Sequence, residues 1–77
     1  MRTPDTVKEI KNRFTYHKPK DGQPERYQAI RDKGLWLALE ILDACPDSRE
    51  RSIALTKIDE AVMWANAAIA RNGGDDA

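Results

Sequence analysis

The chain of 77 residues has little of what small proteins use to reinforce a weak core. One cysteine, Cys45, excludes a disulfide within the chain, and a single histidine leaves no His/Cys cluster for a structural metal. One domain of this length buries too little apolar surface for more than marginal stability. We therefore expect a single domain without metal or cofactor, stabilised by association with further copies of itself.

Net charge is also missing, because thirteen basic residues balance thirteen acidic ones. A neutral chain gains no broad attraction to duplex nucleic acid or to a membrane surface, so neither is an expected partner. No apolar run reaches the roughly 18 residues that span a bilayer, and no secretion signal is recognisable. With its lone cysteine, the sequence predicts a cytoplasmic protein.

Glycine and proline are few, with four of each, and they separate three helical patterns. Pro4 and Pro24 each suit the first turn of a helix, and Cys45-Pro46 ends the second one. Asp47 and Glu50 form the pattern of a capping box for the third helix. The prediction is an all-α fold: a short N-terminal helix at about 4–13, a loop, and an antiparallel hairpin of helices at about 24–44 and 48–71.

The third helix contains AVMWANAAIA, residues 61–70, which has no charge and is apolar nearly all round. Such a helix needs burial on more than one side, and this short chain offers few segments to cover it. Asn66, its one strongly polar residue, is expected to hydrogen-bond across an interface and to set the register. We expect an oligomer interface formed by Val62, Met63, Trp64, Ala65, Asn66 and Ile69.

Two residues of the second helix depart from its pattern. Gly34 lies in the apolar stripe, where glycine costs up to about 1 kcal/mol against alanine, so close packing against its backbone is expected. Trp36 lies among charged residues instead of in the stripe.

The loop before the hairpin, FTYHKPKDGQP, gathers the unusual side chains. Tyr16 has two interpretations: its ring packs the loop onto the hairpin, or it stacks on a nucleobase while a cation binds phosphate. His17 and Lys18 are neighbouring candidates, although a loop histidine more often makes a backbone hydrogen bond. On the second helix the candidate cations are Arg26, Arg31 and Lys33, each of which is more often a solvated surface charge.

Catalysis finds little support in this composition. The sequence contains no Gly-rich phosphate loop, and the adjacent Asp59 and Glu60 point in different directions on a helix. We expect no enzyme and no catalytic residue.

Three segments together, FTYHKP, YQAIRDKG and ALTKIDEAVMWANAAIARN, resemble the hairpin domain of the bacteriophage cyclic-oligonucleotide sponges, which are small anti-CBASS proteins. The resemblance covers Phe14 to Asn72. It implies a compact helical homohexamer that binds cyclic di- and trinucleotides without cleaving them, in the cytoplasm of an infected bacterium. It also implies that Tyr16 contacts a base and that either Arg31 or Lys33 contacts a phosphate.

Sequestration of a bacterial immune messenger is the function that this resemblance predicts. The alternative, from another class, is a helical adaptor that binds a protein partner. Trp36 on the polar face of the second helix would suit that adaptor.

Overall fold

The computed structural model describes residues 2–72, which form three helices and no strand. Helix α1 spans Pro4–Arg13, α2 spans Gln23–Ala44 and α3 spans Arg49–Asn72. The predicted all-α class is confirmed for this part of the chain. Helix α2 begins one residue before its predicted start, and α3 begins and ends one residue after its predicted bounds. The predicted glycine stop at Gly73-Gly74 and the acidic tail lie outside the described residues.

Helix α1 begins as its sequence predicts. The Thr3 hydroxyl accepts a hydrogen bond from the amide of Thr6 at 3.1 Å, and Pro4 fills the first turn, where a missing N–H costs nothing. The helix ends at Arg13, and the backbone amide of the next residue, Phe14, donates to the carbonyls of Ile10 and Lys11. None of its residues is buried, so α1 has little apolar packing to hold it.

Helix α2 begins at a glycine with a left-handed backbone. Gly22 has φ 81°, a region that residues with a Cβ rarely adopt, and it directly precedes Gln23. The amide of Gln23 donates to the carbonyl of Lys20 at 3.0 Å, which closes the turn into the helix. The helix therefore starts at Gln23, with Pro24 as its second residue.

The connection between α2 and α3 is fastened by Arg51. Its guanidinium donates to the carbonyls of Leu42 and Cys45 at 3.3 and 3.2 Å, and to the carboxylate of Asp47 at 3.2 Å. These carbonyls at the end of α2 would otherwise lack partners. The predicted cap at Asp47 is wrong: the Ser48 hydroxyl accepts from the amide of Arg51 at 3.1 Å, while Asp47 is engaged by the Arg51 side chain.

Helices α2 and α3 pack as an antiparallel pair that approaches closely at Gly34. A Cβ built there would lie 2.6 Å from Cγ2 of Val62, so the predicted close approach at this glycine is confirmed. The pair does not enclose a core. No apolar side chain within residues 2–72 is fully buried, and the one buried residue is Gln23, at 3% exposure.

Candidate functional site

The Tyr16 loop, residues 14–22, is held at both of its ends. At its start the His17 Nε2 donates to the carbonyl of Asn12 at 2.8 Å, and the Asn12 amide donates to the carbonyl of Arg71 in α3 at 3.3 Å. At its end the side-chain amide of Gln23 donates to the carbonyl of Ile69 at 3.4 Å. The loop is thereby fixed against the last turn of α3.

Tyr16 itself is 83% exposed. A ring in that position does not pack the loop onto its own hairpin, because most of its surface faces solvent. The hydrogen bonds of Asn12, His17 and Gln23 hold the loop against the hairpin instead. Tyr16 is left with a free aromatic face on a fixed loop.

The neighbours of Tyr16 differ from one another. His17 is half-buried and bonded to the backbone, which is the more common role considered for it, while Lys18 is exposed. A direct role of either residue in ligand binding stays a prediction.

The larger of two grooves between α2 and α3 has a volume of about 580 Å³ and carries Arg31, Asp59 and Asn66 on an otherwise apolar lining. Leu35 and Met63 contribute much of that apolar surface, and Met63 is 61% exposed. The side-chain oxygen of Asn66 is buried and has no hydrogen-bond partner among the described residues. Buried polar atoms are nearly always paired, so we expect a donor for this oxygen from beyond the described residues.

The smaller groove, of about 400 Å³, carries one charged side chain from residues 2–72, that of Lys33. Its remaining lining is Ala29, Ile30, Gly34, Leu37, Ile58, Ala61, Val62 and Ala65. Arg31 and Lys33 are two positions apart on α2, which turns their side chains by about 200°. The two candidate phosphate-binding cations therefore lie on opposite sides of the hairpin.

The six predicted interface residues are distributed over several sides of α3. Met63 and Asn66 line the larger groove, Ala65 lines the smaller one, and Val62 lies between them and lines both. Trp64, which is 64% exposed, points to a third groove of about 450 Å³ that it shares with Phe14 and Arg71 beside α1. Ile69 is half-buried. No single face contains all six.

One protein family, described as the Acb2/Tad1 hairpin domain, matches residues 6–70. The chain belongs to this family. Its members are phage anti-CBASS proteins that act as sponges for cyclic oligonucleotides, and the resemblance predicted from the sequence is confirmed. No protein of curated function and no solved structure matches the chain.

Within residues 2–72 no group of three or more His, Cys, Asp or Glu side chains could hold a metal ion. No helix in that range is both long and apolar enough to cross a membrane.

Sequence reasoning missed the residues that position the Tyr16 loop. Asn12 and Gln23 were not singled out, because a glutamine beside Gly22 and Pro24 reads simply as part of a turn. The available signal was the tripeptide Gly-Gln-Pro. Its glutamine side chain can both donate and accept hydrogen bonds, and it lies between two residues that are typical of turns.

Proposed function

We propose that this protein binds cyclic di- and trinucleotides, holds them without cleavage and thereby inhibits CBASS immunity in the cytoplasm of the infected bacterium. The observation that carries the proposal is the family match across residues 6–70. A sponge acts by mass action, so tight binding and abundance replace catalytic groups. The site then needs an aromatic platform and cations, which this chain has near its loop and on α2.

Tyr16 is the proposed base platform. An exposed aromatic face on a loop already tied to α3 can stack on a base at little cost in conformational entropy. Lys18 on the same loop adds positive charge, and His17 contributes mainly by fixing the loop.

For the phosphate contact the groove lining favours Arg31 over Lys33. Arg31 lies in the larger groove, whose volume falls within the range of small-molecule sites. That groove also contains the unpaired Asn66 oxygen, which can accept from an exocyclic amine of a base or from a second copy of the chain. Lys33 stands alone in an apolar groove, which suits helix packing between subunits.

Assembly into a homo-oligomer, with the hexamer of the resemblance as the expected form, belongs to the same proposal. A hairpin without any fully buried apolar side chain in residues 2–72, and with Met63 and Trp64 largely exposed, gains stability by covering those surfaces with further copies. A cyclic dinucleotide has approximate two-fold symmetry. A site between two copies can therefore use the same tyrosine and the same cation twice.

The decisive experiment combines calorimetry with recovery of the ligand. The purified protein is titrated with a panel of cyclic di- and trinucleotides, then denatured by heat, and the released nucleotide is analysed. A sponge binds and returns the nucleotide intact. Recovery of a linear product would identify an enzyme, and the absence of any binding would refute the proposal.

Substitutions then test the site. Tyr16→Ala should weaken binding by about 1–3 kcal/mol for each stacked base, whereas Tyr16→Phe keeps the ring and should be much milder. Arg31→Ala should weaken binding strongly and Lys33→Ala little. Arg49→Ala is the control, since Arg49 is exposed at the start of α3, at the opposite end of that helix from the Tyr16 loop, and lines neither groove. If Tyr16→Ala binds as well as the wild type, the ring is not the platform.

One observation favours a second candidate function. Trp36 is 68% exposed on α2, and an indole in that position suits contact with a protein partner. An adaptor is therefore the function that would replace the sponge if the wild type bound none of the nucleotides.

A further inference from the structure

The last turn of α3 is capped from outside the helix. The carbonyls at the C-terminal end of a helix lack partners within it, and here these are the carbonyls of residues 69–72. Two of them receive side-chain amides: Ile69 accepts from Gln23, and Arg71 accepts from Asn12. Neither donor belongs to α3, since Asn12 lies in α1 and Gln23 is the first residue of α2.

These two donors flank the Tyr16 loop. Asn12 lies in the last turn of α1, just before the loop, and Gln23 is the first residue after it. The backbone carbonyl of Asn12 also accepts from His17 in the loop, while its side-chain amide donates to α3. Asn12 therefore links the start of the loop to α3. Both ends of the loop are thus bound to the same turn of the same helix.

Of the two donors, Gln23 tolerates fewer replacements, because its side chain both accepts and donates a hydrogen bond. Its side-chain oxygen accepts from the amide of Lys20 at 2.9 Å, while its side-chain nitrogen donates to Ile69. This bridge requires a donor and an acceptor on one neutral side chain: an ionised glutamate cannot donate, and a lysine cannot accept. Gln23 is also the one buried residue in the described part of the chain, where unpaired amides are costly.

We propose that Gln23, assisted by Asn12, is a positioning residue for the ligand: it fixes the Tyr16 loop to the end of α3 so that the ring is in place before a nucleotide arrives. This inference rests on the proposed function, because it assigns Gln23 a role through Tyr16. A loop fixed in advance loses less freedom on binding, and the affinity is higher for that reason.

The test is a double-substitution cycle measured by calorimetry with a cyclic dinucleotide. Gln23→Met keeps the length of the side chain and removes both hydrogen bonds, and it should weaken binding on the order of tenfold. In a Tyr16→Ala background the same change should have little further effect, because the ring that it positions is gone. An equal loss in both backgrounds would indicate a general structural role and overturn the proposal.

The control is Gln28→Met, which changes the same residue type in the same helix. The Gln28 amide donates to the carboxylate of Asp32 on the exposed surface, away from the loop. Its replacement should leave the affinity unchanged. If Gln23→Met does not fold, Asn12→Ala removes the other anchor, and the same cycle applies to it.

Amide hydrogen exchange of the ligand-free protein separates this inference from the proposed function. Gln23→Met should increase exchange at Lys20 and elsewhere in residues 14–22, while α2 and α3 keep their protection. If exchange changes in this way but the wild type binds no cyclic nucleotide, the proposed function fails and the anchor stands. If the wild type binds and neither exchange nor affinity changes in Gln23→Met, the anchor fails and the function stands.

Discussion

Gly34→Ala should destabilise the hairpin, although the same substitution on an open helix surface would stabilise it. The added Cβ would lie 2.6 Å from Cγ2 of Val62, whereas ordinary contact begins at 3.4 Å. Val62 is branched at Cβ, and such a side chain has one strongly preferred rotamer in a helix. The methyl group cannot move aside easily, so the two helices must separate or Val62 must adopt a strained rotamer.

Two opposing effects set the size of the loss. Overpacking a helix contact destabilises the folded protein by about 1–3 kcal/mol, and replacing glycine by alanine inside a helix stabilises it by about 1 kcal/mol. The net change is a loss of about 0–2 kcal/mol. For a domain of this size each kcal/mol lowers the Tm by roughly 4–8 °C.

A double-substitution cycle isolates the contact. Val62→Ala removes the methyl group that the new Cβ would meet, so in that background Gly34→Ala should be neutral or should raise the Tm. Thermal unfolding of the four proteins is compared at one protomer concentration, because the stability of an oligomer depends on concentration. If Gly34→Ala raises the Tm equally in both backgrounds, the close approach at Gly34 does not exist in solution.

Two further predictions concern the turn and the assembly. Arg51→Met should lower the free energy of unfolding by about 1–2 kcal/mol, because the Leu42 and Cys45 carbonyls lose a charged donor. Chemical denaturation measures this loss. An unchanged midpoint would mean that water replaces the guanidinium fully. Ala65→Glu should shift the oligomer toward smaller species, since it introduces a carboxylate into the apolar smaller groove. Light scattering measures that shift, and a wild type that is monomeric at micromolar concentration would contradict the assembly itself.

The helices were predictable because their signals are local. Thr3 and Pro4 start α1 as expected, and the bounds of α2 and α3 differ from prediction by a single residue. Gly34 was also predictable, since a glycine inside an apolar stripe implies that another backbone or side chain approaches it. The Asp47 cap failed because Asp47 and Ser48 are both good caps, and the choice depends on where Arg51 places its side chain.

The arrangement of the candidate site could not be predicted in the same way. The bonds from Asn12 to Arg71 and from Gln23 to Ile69 join residues 59 and 46 positions apart, and no local pattern carries such a contact. The sequence left Arg31 and Lys33 as equal candidates, although helical geometry alone turns them in different directions. Only the position of α3 defines which groove each one faces.

The two unlike grooves of the hairpin have a consequence for symmetry. A subunit with a single self-complementary interface forms a two-fold dimer and nothing larger, because that interface is fully buried in the dimer. This hairpin is only two helices thick, and it presents a larger groove with charged and polar groups on one side and a smaller apolar groove on the other. One face can therefore form pairs while the other joins those pairs into a ring. Three pairs joined in this way give six subunits with dihedral symmetry, so a single short hairpin carries enough distinct surface for the hexamer that we propose.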